Sequence, residues 1–115
     1  RFIMRPELQA QLLSRHKKIF AQWQLSTPSC GDGWFPLIDS LCRCLQFHTD
    51  HGDGPQIVAL QIKEKLGSLR FYCHQSDDFQ QGIITLAVQL SEQLCKTCGT
   101  LILDKHHCPG CNPPP

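Results

Sequence analysis

The sequence predicts a small α+β domain that ends in a four-cysteine metal site. Three observations carry this prediction: three segments repeat apolar residues at helical spacing, one segment alternates them, and the C-terminal region holds two Cys-x-x-Cys pairs. The predicted order is two helices, a β-hairpin, a third helix and a zinc knuckle or ribbon. We assign residues 1–94 to the α+β core and residues 95–115 to the knuckle segment with a proline tail, together forming one compact unit.

The first predicted helix covers residues 6–23 and begins at Pro6. Proline is favoured in the first helical turn because its missing N–H would have no intrahelical partner there. Apolar residues recur at helical spacing from Leu8 to Trp23. Residues 24–33 are rich in Ser, Pro and Gly, and this composition predicts a loop.

The second predicted helix covers residues 34–51. It ends at the sequence HGDGP, because two glycines and a proline do not continue a helix. Its side chains at helical spacing form one predicted stripe: Trp34, Leu37, Ile38, Leu41, Leu45 and His48.

Residues 56–75 change to a period of two, which is typical of β-strands. The Leu66-Gly67-Ser68 segment supplies a turn between two alternating runs, so we expect a β-hairpin. Residues 76–94 then return to helical spacing, with Ser76, Asp77 and Asp78 as candidate capping residues. The stripe that we expect this third helix to bury consists of Phe79, Ile83, Leu86, Ala87, Leu90 and Leu94.

The metal ligands expected from the sequence are Cys95, Cys98, Cys108 and Cys111. Each Cys-x-x-Cys pair can wrap two thiolates round one side of an ion, and two pairs complete a tetrahedron. Zn²⁺ is the expected metal, and iron in a rubredoxin-like site is the alternative. Four thiolates leave no position for water or substrate, which favours a structural site over a catalytic one.

Other roles for this segment stay open. His106 or His107 is an alternative ligand in place of Cys108. A second alternative places them beside the cluster, where together with Lys96 and Lys105 they offset its excess negative charge. We prefer to regard both histidines as solvated loop residues. Redox chemistry of a Cys-x-x-Cys pair ranks low, because no pair lies between a strand and a helix.

The remaining thiols and imidazoles have no assigned function. Cys30, Cys42 and Cys73 follow no ligand spacing, whereas Cys44, His48 and His51 share one helix face and form a candidate second metal site. We favour the simpler interpretation, in which these residues border a buried stripe. A cysteine nucleophile with a histidine base is a further alternative.

Composition limits the classes of partner. The formal net charge is +1, so nucleic acid would have to bind a local basic patch. No apolar run is long enough for a membrane span, and the first residues do not resemble a signal peptide. Met4 is a candidate natural start, so the origin of residues 1–3 stays open. The eight cysteines would permit disulfides. Four of them, however, form two Cys-x-x-Cys pairs with metal-ligand spacing, which favours reduced thiols and a cytoplasmic protein.

Three sequence blocks together resemble a family of small, mostly uncharacterised proteins encoded by phages and prophages of Gram-negative bacteria. The blocks are CGDGWFPLIDSLC (30–42), QIKEKLGSLRFY (61–72) and CKTCG (95–99). In that family a GDGW turn, a KEKFGGLRFY-like hairpin and a terminal Cys-x-x-Cys-Gly recur in this order. Here Leu66 and Ser68 stand where Phe and Gly are usual. The resemblance implies no catalytic residue; it implies a host bacterial cell, where such proteins often bind a host protein.

Three functions follow from these observations. The preferred one is a non-enzymatic, zinc-stabilised protein that binds a host protein, such as a factor in defence or nucleic-acid processing. The second is a zinc-ribbon module that binds nucleic acid through the basic and aromatic hairpin. The third, a metal-dependent hydrolase, needs an open coordination position. The candidate partner-binding residues are Trp34, Phe35, Lys63, Lys65, Arg70 and Tyr72.

Overall fold

The computed structural model describes residues 3–111, so the proline tail and the first two residues lie outside it. The predicted α+β class is confirmed, with four helices, one antiparallel hairpin and a C-terminal cluster of four cysteines. The elements are α1 (Pro6–Arg15), α2 (Trp23–Ser26), α3 (Phe35–Gly52), β1 (Val58–Lys65), β2 (Ser68–His74) and α4 (Asp78–Ser91), with a 3-10 turn at Asp32–Trp34 before α3.

The first helix is shorter than predicted. α1 ends at Arg15, turns follow, and the short α2 occupies part of the segment that we expected to be a loop. The helix ends here because the backbone of His16 leaves the helical region, with a φ of -130° and a ψ of 51°. Further on, the carbonyl of Ile19 accepts a hydrogen bond from Ala59 N at 2.8 Å, which ties the turns after α1 to the hairpin.

A buried carboxylate ties α1 to α3. Asp39 on α3 accepts a hydrogen bond from His16 Nε2 at 2.7 Å, and its second oxygen lies 3.1 Å from Arg15 Nη1 and 2.8 Å from Arg43 Nη2. Burial favours the neutral acid, but the hydrogen bond and charge of His16 and the charge of Arg15 outweigh this effect. The pKa of Asp39 therefore lies below its usual 3.8.

The second helix and the hairpin agree closely with the sequence. α3 starts and ends one residue later than predicted, and Asp53 follows it with a φ of 63°. β1 and β2 pair around a two-residue turn, Leu66-Gly67, in which both residues have positive φ. This backbone matches the right-handed twist of paired strands.

The third helix is capped as predicted but buries a different stripe. Asp77 and Gln80 form a capping box. The buried residues are Gln80, Ile84, Ala87 and Ser91, whereas Phe79 and Leu86 are each 61% exposed and Leu90 is 41% exposed. Of the predicted stripe, only Ala87 is fully buried, and the helix ends at Ser91, three residues early.

Hydrogen bonding explains why α4 turns polar side chains towards the core. Gln80 Nε2 donates to the carbonyl of Pro55 at 2.9 Å, and Ser91 Oγ accepts from Leu69 N at 2.9 Å. These two side chains satisfy backbone groups that would otherwise be buried without partners. An apolar-stripe rule does not detect such a requirement, so it assigned the wrong face to the core.

The core lies between the helices and the inner face of the hairpin. α4 packs against both α3 and β2, while α2 packs against β1. The largest enclosed side chains include Trp34, Phe20 and Ile38. Within residues 3–111, no helix combines the length and apolar content needed to cross a membrane.

Candidate metal centre

The four C-terminal cysteines converge on one point. Their Sγ atoms all lie within 4.8 Å of one another, and Cys98 Sγ lies 3.8 Å from Cys108 Sγ. Sulfurs placed about 2.3 Å from a tetrahedral ion are separated by about 3.8 Å, so this spacing fits a tetrahedral metal. Cys95 and Cys108 are buried, while Cys98 and Cys111 face solvent. The arrangement could bind a metal ion with four thiolates.

Backbone hydrogen bonds shape the first Cys-x-x-Cys turn. Gly99 N donates to Cys95 O at 2.8 Å, and Cys95 N donates to Thr100 O at 2.8 Å. Gly99 has a φ of 81°, a conformation that side chains larger than hydrogen disfavour. An isolated antiparallel bridge between Leu94 and Leu101 closes the turn. The segment therefore forms a small ribbon that holds the two Cys-x-x-Cys pairs together.

The thiols of the cluster influence one another strongly. The hydroxyl of Thr100 lies 3.1 Å from Cys98 Sγ, and this interaction lowers the pKa of Cys98 to about 6. Hydrogen bonding with Cys98 raises the pKa of Cys111 to about 12. Closely spaced thiolates repel one another, and a bound cation would remove this repulsion. The donor set therefore suits a metal ion better than four free thiols.

The GDGW turn packs directly on the cysteine ribbon. Gly33 N donates to Lys96 O at 2.9 Å, and Trp34 Nε1 donates to Leu94 O at 3.0 Å. A Cβ on Gly33 would lie 2.1 Å from Cys95 O and 2.5 Å from Gly99 N. Glycine is therefore required for this contact, and the turn supports the metal centre from inside the domain.

The tip of the hairpin contacts the other side of the ribbon. Gly67 N donates to Glu64 Oε2 at 2.7 Å, and Lys96 Nζ lies 3.5 Å from the same oxygen. A Cβ on Gly67 would lie 2.9 Å from the side chain of Lys105. Lys105 Nζ also lies 3.7 Å from Glu92, which accepts a short hydrogen bond from the hydroxyl of Ser68. The hairpin tip is thus linked to the ribbon by charges and close packing.

Neither nearby histidine joins the ligand group. Within the described residues, the group close enough to share an ion consists of the four cysteines, without His106 or His107. His106 is exposed and His107 is half-buried beside the ribbon. Lys96 and Lys105, which we considered as countercharges for the cluster, instead face Glu64 and Glu92.

The structure separates the six candidate partner-binding residues into two groups. Trp34 is only 1% exposed, so it supports the turn from within and offers no surface to a partner. Phe35 is half-buried, with the guanidinium of Arg15 5.7 Å from its ring. The other four residues lie on one face of the hairpin: Lys63, Lys65, Arg70 and Tyr72.

This hairpin face is basic and partly aromatic. Lys63 is paired directly with Arg70 across the strands, and Tyr72 is 47% exposed. Ile62 and Phe71 on the opposite face are buried in the core. We call Lys63, Lys65, Arg70 and Tyr72 the hairpin contact face.

The candidate second metal site on α3 is not formed. His48 Nε2 lies 2.9 Å from Asp77 Oδ2, and its ring is enclosed by Gly52 and Gly54. Within residues 3–111 Cys44 and His51 belong to no ligand group. His48 therefore connects the end of α3 to the N-cap of α4.

The other cysteines occupy separate environments. Cys30 and Cys42 are buried, and desolvation raises the pKa of both thiols, that of Cys30 to about 12. Burial also raises the pKa of the half-buried Cys73. Thiols with raised pKa values are poor nucleophiles at neutral pH, which is typical of packing residues.

Sequence reasoning missed an exposed apolar surface between α3 and α4. Phe79, Ile83 and Leu86 line it from α4, and Phe47 and Cys44 line it from α3. The signal was present in α4, whose apolar residues are too numerous for one buried stripe and occupy two sides of the helix.

No protein-family model, curated protein or solved structure matches this chain. The resemblance to phage and prophage proteins therefore stays a prediction.

Proposed function

We propose that this protein is a non-enzymatic binding protein, stabilised by Zn²⁺, that engages a partner protein through the hairpin contact face. The observation that carries the proposal is the grouping of Lys63, Lys65, Arg70 and Tyr72 on one strand face, where Lys65 and Tyr72 are exposed and Lys63 and Arg70 are half-buried. Tyrosine and arginine are enriched among residues that dominate protein interfaces. The face is basic, so the expected partner surface is acidic.

Zn²⁺ is the metal that suits the cysteine ribbon best. A tetrahedral set of four thiolates is the usual environment of structural zinc, and the 3.8 Å between Cys98 Sγ and Cys108 Sγ fits Zn–S bonds of about 2.3 Å. Zinc held in this way leaves no coordination position for substrate. Its contribution is to hold the GDGW turn and the hairpin tip against the ribbon, which fixes the orientation of the contact face.

The resemblance to phage and prophage proteins supports a host protein as the partner. A small domain with a rigid, charged strand face can bind such a protein without catalysing a reaction. This proposal predicts a stoichiometric complex.

Single-stranded nucleic acid is the second candidate ligand, and one observation favours it. The cross-strand pair Lys63 and Arg70 places two cations next to the exposed ring of Tyr72. Cations that contact phosphates beside an aromatic ring that stacks a base form a common single-strand binding surface. The proposal and this alternative use the same face, so one experiment can separate them.

The test is affinity capture of partners from a lysate of a Gram-negative host, with and without nuclease. The full chain serves as bait, together with the double variant Lys65→Ala/Arg70→Ala. The matched control is Lys17→Ala/Lys18→Ala, which removes the same charge from exposed lysines far from the hairpin in sequence. We expect the hairpin variant to recover at least about tenfold less partner, because interface charges and their hydrogen bonds are lost.

The outcomes discriminate between the two ligands. A partner protein retained after nuclease treatment, and lost only with the hairpin variant, supports the proposal. Loss of all captured material on nuclease treatment, with strong salt sensitivity, supports nucleic acid instead. Equal recovery by the hairpin and control variants would contradict both uses of this face.

A further inference from the structure

Helix α4 has two apolar sides, and only one of them is covered. The uncovered side consists of Phe79, Ile83, Leu86 and Leu90, spaced by four, three and four residues. This spacing is the heptad seam along which helices pack in bundles. From Phe79 to Ser91 the helix carries no charged residue. Its exposed polar residues, Gln81, Thr85 and Gln89, leave this second apolar side without a charge to keep it in water.

Helix α3 presents a matching seam beside it. Leu37, Ser40, Cys44, Phe47 and His51 are spaced by three, four, three and four residues. Phe47 is 65% exposed and its ring centroid lies 4.5 Å from that of His51. Ser40 and Cys44 are small, so a helix placed over the middle of this seam can approach closely.

The two seams border a continuous groove. One part, with a volume of about 590 Å³, lies between Phe47 and Phe79, and a second part extends to Leu37 and Leu90. From Leu37 to His51 the groove follows about 20 Å of helix, which is the length of a helix of roughly fourteen residues. The groove therefore has the size to accept one or two helices along its length.

The exposed apolar area approaches what each half of a homodimer interface buries. A phenylalanine side chain presents roughly 150–250 Å² when fully exposed, so Phe47 and Phe79 each present roughly 100 Å² or more. With Leu86 and Leu90 the total is roughly 400 Å², and an apolar patch of this size on a monomer is often functional. Each partner in a standard interface buries roughly 800 Å², and about 65% of a homodimer interface is apolar.

The charge of the groove indicates which occupant fits. In the described part of the chain, Arg43 is the one lysine, arginine or carboxylate residue that lines it, and Asp39 already pairs with Arg43 at 2.8 Å. An acidic or basic helix would find no countercharge here, whereas a second neutral, apolar face is complementary. The same face on another copy meets this condition, as a two-fold symmetric interface requires.

We propose that α3 and α4 form a homodimer interface, in which the two helices of each copy pack as a four-helix bundle. The seams would pack with the shallow crossing angle that is usual in such bundles. Within residues 58–74, no hairpin residue lines the groove, so the hairpin contact face is not part of this interface. The inference is independent of the proposed function, since it uses a different surface.

Sedimentation velocity of the full, metal-loaded chain tests this proposal. We expect a species of twice the 13.0 kDa chain mass across concentrations from about 1 to about 100 µM. The double variant Phe79→Glu/Leu86→Glu should sediment as a monomer, with a dissociation constant raised at least about 100-fold by burial of unpaired charges. Both side chains are exposed in the single chain, so the variant should melt as cooperatively as the wild type.

Two further variants make the result decisive. The control Leu25→Glu/Leu103→Glu places the same charges on exposed leucines outside the groove and should remain dimeric. If the first variant does not fold, Phe47→Glu on α3 tests the same face from the other helix. A wild-type chain that is monomeric at all concentrations would overturn the proposal. A dimer that persists in the groove variants would also overturn it. So would a monomeric chain that captures another protein from the lysate and loses that protein when Phe79→Glu is introduced, because the groove would then bind a different partner.

Discussion

Gly33 shows how a single residue connects two distant parts of the chain. Its N–H binds the carbonyl of Lys96, and its missing side chain allows the backbone of Cys95 to approach. A methyl group at this position would overlap backbone atoms on both sides of the Cys-x-x-Cys turn, and backbone atoms cannot move aside as a flexible side chain can. Gly33 therefore controls how closely the GDGW turn approaches the metal centre.

The substitution Gly33→Ala should destabilise the domain by at least about 2 kcal/mol, because the turn must withdraw from the ribbon. It should also weaken metal retention against a competing chelator, measured by absorbance of the chelator complex. The control Gly82→Ala has no atom within 4 Å of its new Cβ and should be neutral or stabilising by up to about 1 kcal/mol. Equal behaviour of the two variants would contradict the role of Gly33.

At the residue level, the sequence predicted the four-cysteine cluster but not the contacts that hold the GDGW turn against it. The four cysteines were identifiable because ligand spacing is local: each pair is separated by two residues. The contacts of Gly33 with Lys96 and of Trp34 with Leu94 join positions about sixty residues apart. Sequence distance carries no information on such pairs, so Trp34 was assigned to a contact surface although it is enclosed.

Among the elements, α1 depends on α3 through one carboxylate. Asp39 binds His16 and two arginines, and these contacts hold the end of α1 where the chain leaves the helix. Side chains that satisfy a buried charge are costly to remove, because the remaining partner groups stay buried. The sequence placed Asp39 in a helix without revealing that its carboxylate lies inside the protein.

The variant Asp39→Asn should therefore lower the free energy of unfolding by about 1–3 kcal/mol at pH 7, measured by urea titration. Because the folded-state pKa of Asp39 lies below 3.8, its contribution is complete above that pH. It is lost as the pH falls through the folded-state value, so the difference from the wild type should shrink in strong acid. Asp50→Asn, at an exposed carboxylate of α3, should change stability by less than about 0.5 kcal/mol.

A difference between wild type and Asp39→Asn that stays constant or grows below pH 3.8 would contradict this account of the carboxylate. Release of metal in acid affects both proteins equally, so it does not alter the comparison.

The hairpin and α4 show which features of an element the spacing of apolar residues can predict. Strand alternation and the turn at Leu66-Gly67 predicted the hairpin closely, because a two-residue turn fixes the register. Apolar spacing predicted the presence of α4 but not its orientation, since two apolar stripes compete for one core. Gln80 and Ser91 decide the orientation by hydrogen bonds to the loop before β1 and to β2.

In the whole molecule, the three sequence blocks of the predicted resemblance converge on the metal centre. The GDGW turn packs on one side of the cysteine ribbon and the hairpin tip on the other, through Gly33 and Gly67. This arrangement gives the blocks a structural explanation. They hold the GDGW turn, the hairpin tip and the cysteine ribbon together, while the hairpin contact face and the α3–α4 groove are the surfaces that we propose for binding.

X-ray absorption at the zinc edge, recorded on the purified full chain, tests the central claim most directly. The claim is that Cys95, Cys98, Cys108 and Cys111 hold one Zn²⁺ in a closed site. It predicts one zinc per chain, with four sulfur neighbours at about 2.3 Å and no nitrogen or oxygen in the first shell. Fewer than four sulfurs, a nitrogen or oxygen ligand, or a folded chain without zinc would contradict it.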